Sequence, residues 1–207
     1  MGVIRTLSGF LGLPSDWDFL PWPHAPLPSP FPLHPALSTQ HPEPLIGYSM
    51  GGRVALQILE GQRFQSAVIL SAGLNAPDPE RRARDEEWAR RFESEDWSSL
   101  MRDWNAQAVF GGHVVERAEV DFDRAELARQ LRECSPAVLP PPNLEAIETP
   151  ILWVAGERDA KYVEIGRRAV ARLPHAELWI CPDAGHRVPW EQPSALVGRL
   201  RLFFDLH

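Results

Sequence analysis

Several short stretches of the chain are apolar at almost every position. Leu45 to Tyr48 is one, Ala67 to Leu70 within QSAVILSAG is another, and Ile151 to Ala155 and Leu178 to Cys181 follow later. Val3 to Leu7 is a further β-like run near the start. Runs without polar alternation suit strands of a parallel sheet covered on both faces. Between them the period changes. Met50 to Gly61 sets Val54, Leu56, Ile58 and Leu59 at helical positions with Gly61 as the stop, and Tyr162 to Leu173 and Pro193 to Leu206 read as further helices. Strands alternating with helices predict an α/β fold, a mostly parallel sheet flanked by helices.

From Asn75 to Glu148 the pattern is different. Residues 79–95 are charged and helical, with Trp88 and Phe92 four apart on one face. Ser98 to Ala108 and Asp123 to Glu133 predict two more helices, and Pro140, Pro141 and Pro142 end the block. The block reads as a helical cap inserted at about residues 75–148 into a single domain spanning 1–207, a length that suits one domain. Prolines crowd Pro21, Pro23, Pro26, Pro28, Pro30, Pro32, Pro35, Pro42 and Pro44. Proline blocks helix interiors and lacks an amide donor, so this stretch is expected to be an extended or irregular loop wrapped over the domain.

Composition narrows the function classes. Hydrophobic residues make up 44% and charged residues 24%, the proportions of a globular chain. A net charge of -7 argues against a nucleic-acid surface, which needs a basic face. No apolar run approaches the roughly 18 residues of a membrane span. The opening MGVIRTLSGFLGLP lacks the apolar core and small-residue cleavage site of a secretory signal, so a cytoplasmic location is expected. Cys134 and Cys181 are too few for a disulfide scaffold and form no metal-ligand spacing.

The strongest chemical signal is Gly47-Tyr48-Ser49-Met50-Gly51, which matches G-x-S-x-G between a predicted strand and a predicted helix. The serine must stand on a tight turn where side chains at Gly47 or Gly51 would meet backbone. The Met50 amide would then open the helix, where unpaired donors favour developing negative charge. A serine needs a histidine to take its proton, and the histidine needs an orienting acid. Asp159 leaves the strand ILWVAGERD and His186 follows LWICPDAGH, in the chain order serine, acid, histidine that this motif carries. Glu157 and Asp183 are rival acids; His24, His34, His41, His113, His175 and His207 read as structural or surface residues. A second oxyanion amide would come from Phe10, after Gly9 in the loop Leu7 to Gly12.

These residues resemble the α/β-hydrolase superfamily. LSGFLGLPSDW, IGYSMGGRVAL, GERDAKY and AGHRVPWEQP together are similar to the 2-succinyl-6-hydroxy-2,4-cyclohexadiene-1-carboxylate synthase family, lyases of menaquinone synthesis that eliminate pyruvate. GLNAPDPERRAR, EEWARRFE and DWNAQAVF resemble that family's cap. The resemblance implies a small anionic substrate bearing carboxylates, with Arg53 and Arg81 as carboxylate clamps and Trp104 as a pocket residue on the cap side. It implies no metal and no organic cofactor. Ser49 would act as a base through His186 and Asp159, with the amides of Phe10 and Met50 receiving the charge that develops on oxygen.

The chain departs from the family at several points. Ser8 stands where the family usually has a histidine that fixes the oxyanion loop, and Asn105 follows Trp104 where many members have tyrosine. The stretch between this loop and Ser49, where the family has a strand and a helix, is short and proline-rich, and leading strands are absent before Val3. The scaffold is therefore expected to be trimmed at its N-terminal side, with bared sheet surface covered by the proline-rich loop or by a second copy in a homo-oligomer. Three readings of function stand at this point. They are the pyruvate-eliminating lyase, a small carboxylesterase or thioesterase working through an acyl-enzyme, and a non-catalytic binding module that kept the fold.

Overall fold

The computed structural model describes residues 2–27, 40–41 and 43–206. In chain order its elements are β1 (Ile4–Leu7), β2 (His24–Pro26), β3 (Gln40–His41), β4 (Leu45–Tyr48), α1 (Met50–Leu59), β5 (Arg63–Phe64), β6 (Ala67–Leu70), α2 (Pro79–Ser94), α3 (Trp97–Asn105), α4 (Arg124–Glu133), β7 (Ile151–Gly156), α5 (Ala160–Val170), β8 (Ala176–Cys181), α6 (Val188–Glu191) and α7 (Pro193–Phe204). Among the described residues a parallel sheet runs in the order β2-β1-β4-β6-β7-β8, and β3 pairs with β5 apart from it.

The apolar runs lie at the centre of this sheet. β4, β6 and β7 are buried at every residue, as strands covered on both faces must be. Alternate side chains serve opposite faces. Ile46, Val68, Leu70, Leu152 and Val154 pack with Trp17, Leu20 and the α7 residues Leu196, Leu200 and Phe203. Trp153 points the other way, onto α5, where a Cβ on Gly166 would stand 2.9 Å from its ring.

The proline-rich stretch holds an element that the apolar pattern did not announce. β2 pairs with β1, Ile4 with His24 and Thr6 with Pro26. The Leu27 amide donates to the Thr6 carbonyl, so by two-residue alternation the missing amide of Pro26 falls on the outer side of the strand. Proline is tolerated there because no ladder bond is lost. Pro28, Pro30, Pro32, Pro35 and Pro42, and with them the expected wrapping loop, lie outside the described residues.

The chain divides into two compact units, Met1–Gly73 with Pro142–His207, and Leu74–Pro141. The second holds α2, α3 and α4. Residues 142–148, expected in the insertion, go with the sheet unit, where Leu144 and Ile147 are fully buried. Each helix of the second unit starts on an aspartate cap. Asp78, Asp96 and Asp123 accept the amides of Arg81, Ser99 and Glu126 at 2.9, 2.9 and 3.1 Å, a contact that typically stabilises a helix by ~1 kcal/mol. Among the described residues no helix is long and apolar enough to cross a membrane.

Candidate active site

Ser49 sits between β4 and α1 with φ 51° and ψ -108°, a left-handed backbone that costs a non-glycine residue about 1–3 kcal/mol. Two close approaches explain why its neighbours are glycines. A Cβ on Gly47 would stand 2.8 Å from the Gly51 carbonyl oxygen, and one on Gly51 would stand 2.2 Å from that of Leu7. The second contact presses the loop after β1 against the serine turn. The Ser49 amide is spent on the Leu70 carbonyl at 2.8 Å, and the first intrahelical bond runs from the Arg53 amide to the Ser49 carbonyl at 3.2 Å. Met50 therefore opens α1 with an amide that has no acceptor within the helix.

The three residues expected to form a proton relay come from three strand ends. Ser49 Oγ lies 3.1 Å from His186 Nε2, and His186 Nδ1 lies 2.8 Å from Asp159 Oδ2. A carboxylate only accepts, so Nδ1 carries the proton toward Asp159 and Nε2 is left to accept from the serine hydroxyl. His186 is 2% exposed, with the Tyr162 ring edge-on at 4.5 Å and the Tyr48 ring at 5.8 Å. Of the rival acids, Glu157 is occupied elsewhere, accepting the Asp183 amide at 3.1 Å. His24 and His175 face Asp18 and Glu148 instead.

The loop of Phe10 borders the serine. A Cβ on Gly9 would come within 3.4 Å of Ser49 Cβ. The loop is closed by the Gly12 amide donating to the Gly9 carbonyl at 3.0 Å, and Leu11 is buried there with φ 59°. Ser8, in the place of the expected histidine, accepts a hydrogen bond from the buried indole of Trp17 at 3.0 Å.

The remaining candidates divide between the units. Arg53 is 7% exposed on α1, one turn beyond Ser49, so it is a buried cation rather than a solvated one. Arg81 and Trp104 belong to the second unit. Arg81 directs Nε to both oxygens of Asp85 at 2.8 and 2.9 Å, which leaves its terminal nitrogens without a hydrogen-bond partner among the described residues. Trp104 packs edge-on against Trp88 and Phe92.

Sequence reasoning passed over several residues around the ring. Tyr48 is the variable position of G-x-S-x-G, and burial pushes its phenol well above the usual range, so it stays neutral. Tyr162, one turn after Asp159, could have been found from helical spacing. Arg187, 6% exposed beside His186, carries no motif that marks it. Burial, seconded by Glu191, pushes the Cys181 thiol up to about 11, so it offers no thiolate at neutral pH.

Residues 6–199 match the alpha/beta hydrolase family, nearly the whole chain. The chain belongs to that family. This alpha/beta hydrolase is 34% identical over 170 residues to the 2-succinyl-6-hydroxy-2,4-cyclohexadiene-1-carboxylate synthase of Escherichia coli, covering 75% of this chain and 66% of the relative. The enzyme of that name from Escherichia fergusonii is 34% identical over the same shares. The chain thus spans about two-thirds of the length of these curated relatives. Among solved structures it is similar to MenH from S. aureus, with a TM-score of 0.83 and 20% identity over 98% of this chain and 93% of that one. It is also similar to a thermophilic esterase from Thermogutta terrifontis, with a TM-score of 0.68 and 18% identity over 98% and 89%. At such identities the structural likeness speaks for the fold.

Proposed function

We propose that this alpha/beta hydrolase is a carbon–oxygen lyase. It would eliminate pyruvate from a succinyl-enolpyruvyl-cyclohexene dicarboxylate to give 2-succinyl-6-hydroxy-2,4-cyclohexadiene-1-carboxylate. The observation that carries the reading is a complete serine–histidine–aspartate relay with a buried arginine one helical turn from the serine. The similarity to synthases of that name supports the same reaction. A substrate carboxylate gains charge pairing from a guanidinium's planar fork, which a neutral ester does not.

In this reading Ser49 removes a ring proton as His186 Nε2 takes the serine proton, and Asp159 holds the imidazolium that forms. The electron pair of the broken C–H bond becomes a ring double bond, and the C–O bond to the enolpyruvyl group breaks. The departing enolate gains a proton to become pyruvate. Negative charge on the conjugated oxygen is met by the amides of Met50 and Phe10. Arg53 pairs with a carboxylate of the substrate. The substrate is a small metabolite, and the enzyme works in the cytoplasm.

The test is to supply the enolpyruvyl precursor and follow pyruvate, beside a panel of nitrophenyl esters. Pyruvate release is expected, with Ser49→Ala lowering kcat by about a thousandfold or more. Arg53→Ala is expected to raise KM for the polyanion about tenfold while changing neutral esters little. Fast ester turnover without pyruvate would move the protein to the esterase reading, and activity that survives Ser49→Ala would remove the relay.

A further inference from the structure

The loop that carries His186 is held by a carboxylate with no part in the relay. Glu191, at the end of α6, has a side chain only 10% exposed. Its Oε2 accepts the amide of Gly185 at 2.8 Å and its Oε1 accepts the amide of Arg187 at 3.0 Å. These are the two backbone donors on either side of His186. The Glu191 amide in turn donates to the Arg187 carbonyl at 2.9 Å, so a closed ring of hydrogen bonds encircles the histidine's place in the chain.

A further contact reaches the acid. Arg158, the residue before Asp159, places Nη2 3.3 Å from Glu191 Oε2 and also donates to the Asp183 carbonyl. The Arg158 amide donates to the Ala184 carbonyl at 2.8 Å. The loops of the acid and of the histidine are thereby joined.

We propose that Glu191 is a positioning residue for His186: its carboxylate takes both flanking amides and Arg158, and so sets the imidazole between Ser49 and Asp159. The inference rests on the reading of His186 as the relay base. A carboxylate serves this geometry because both of its oxygens accept and neither donates. Glutamine has the same shape but would present an NH2 group to one amide, donor against donor. A small displacement of a catalytic ring costs far more rate than stability, and a misplacement of about 1 Å can cost on the order of a hundredfold.

The experiment compares Glu191→Gln, Glu191→Asp and Arg158→Ala with the parent, using whichever activity Ser49→Ala abolishes. It also records the low-field proton resonance of the imidazole Nδ1–H, assigned by its loss in Asp159→Asn. Glu191→Gln is expected to lower kcat about tenfold to a hundredfold with KM within about twofold, and to broaden or shift the low-field proton. Glu191→Asp keeps two acceptors and should recover part of the loss. Arg158→Ala should cost about two- to fivefold and be non-additive with Glu191→Gln. A Glu191→Gln enzyme with parental kcat and a parental low-field proton would overturn the proposal. So would a loss of activity that only follows the unfolded fraction while that proton is unchanged. Because the resonance needs no substrate, it reports on Glu191 even if the lyase assignment fails.

Discussion

The sheet unit and the helical unit are held together by different forces. In the sheet unit the polar side-chain atoms of β4, β6 and β7 are the Tyr48 hydroxyl and the Trp153 indole nitrogen alone, and most of their residues have no exposed surface. In the helical unit, α2 buries only Asp85, Ala89 and Phe92 of its 16 residues. An aromatic group of Trp88, Phe92, Trp97 and Trp104 supplies its apolar centre. Around it run arginine–carboxylate pairs, Arg132 to Glu86 and Glu93, Arg91 to Glu95 and Asp103, Arg129 to Glu126. Arg124 donates to the carbonyls of Phe92 and Glu95 at the end of α2. The relay thus rests on a core that does not titrate, while the insertion depends on ionised groups near solvent.

The largest test of this contrast is a pair of truncations at fully buried positions. Phe92→Ala should cost about 3–5 kcal/mol and Leu152→Ala about 2–5 kcal/mol. Hydrogen exchange should then separate them. Phe92→Ala is expected to deprotect α2, α3 and α4 while β4, β6 and β7 keep their protection, whereas Leu152→Ala should weaken the sheet. Loss of strand protection in Phe92→Ala would show that the units do not differ in this way.

A smaller effect is expected at the joint between core and chemistry. Trp17→Phe removes the donor to Ser8 while keeping most of the buried ring. It should cost about 1 kcal/mol of stability, and if the Phe10 amide receives charge, kcat should fall about fivefold with KM little changed. An unchanged kcat would relieve Ser8 and Trp17 of any role in the oxyanion loop.

The smallest effect concerns acid. The Arg132 guanidinium holds the Glu86 and Glu93 carboxyls below the usual carboxylate value of 4.5. A carboxyl depressed in the folded state stabilises above its unfolded value and loses that contribution as pH falls through the folded value. The α2–α4 helices should therefore lose protection on acidification before the sheet does. Arg132→Ala should move that transition upward in pH by a small amount, and high salt should mimic it. Simultaneous acid loss in both units would erase the distinction.

Much of this arrangement was legible in the sequence, for physical reasons. Strands buried on both faces leave unbroken apolar runs, so Ala67–Leu70 and Leu45–Tyr48 are read to the residue. Helices are expected over 79–95, 98–108 and 123–133, without the capping role of Asp78, Asp96 and Asp123 that sets the observed starts. The serine, acid and histidine could be picked out because each follows a strand in a fixed chain order, and the glycines around Ser49 record close approaches of backbone. What stayed hidden depends on backbone partners or on distant pairs. β2 is three residues with a proline, too short and too irregular to show a period. Glu191 acts on amides, which no side-chain pattern reports, and the Trp17–Ser8 bond joins two ordinary residues. Arg81 gave no sign that Asp85 would take its Nε, because an i,i+4 pair looks the same in a sequence whether or not it is made.

The proline at the end of β2 has a consequence for the molecule among its neighbours in solution. Its blank position faces outward, so a foreign strand laid along that border would find a gap where a donor is needed. Among the described residues, the rim that starts the sheet is therefore a poor template for fibril growth.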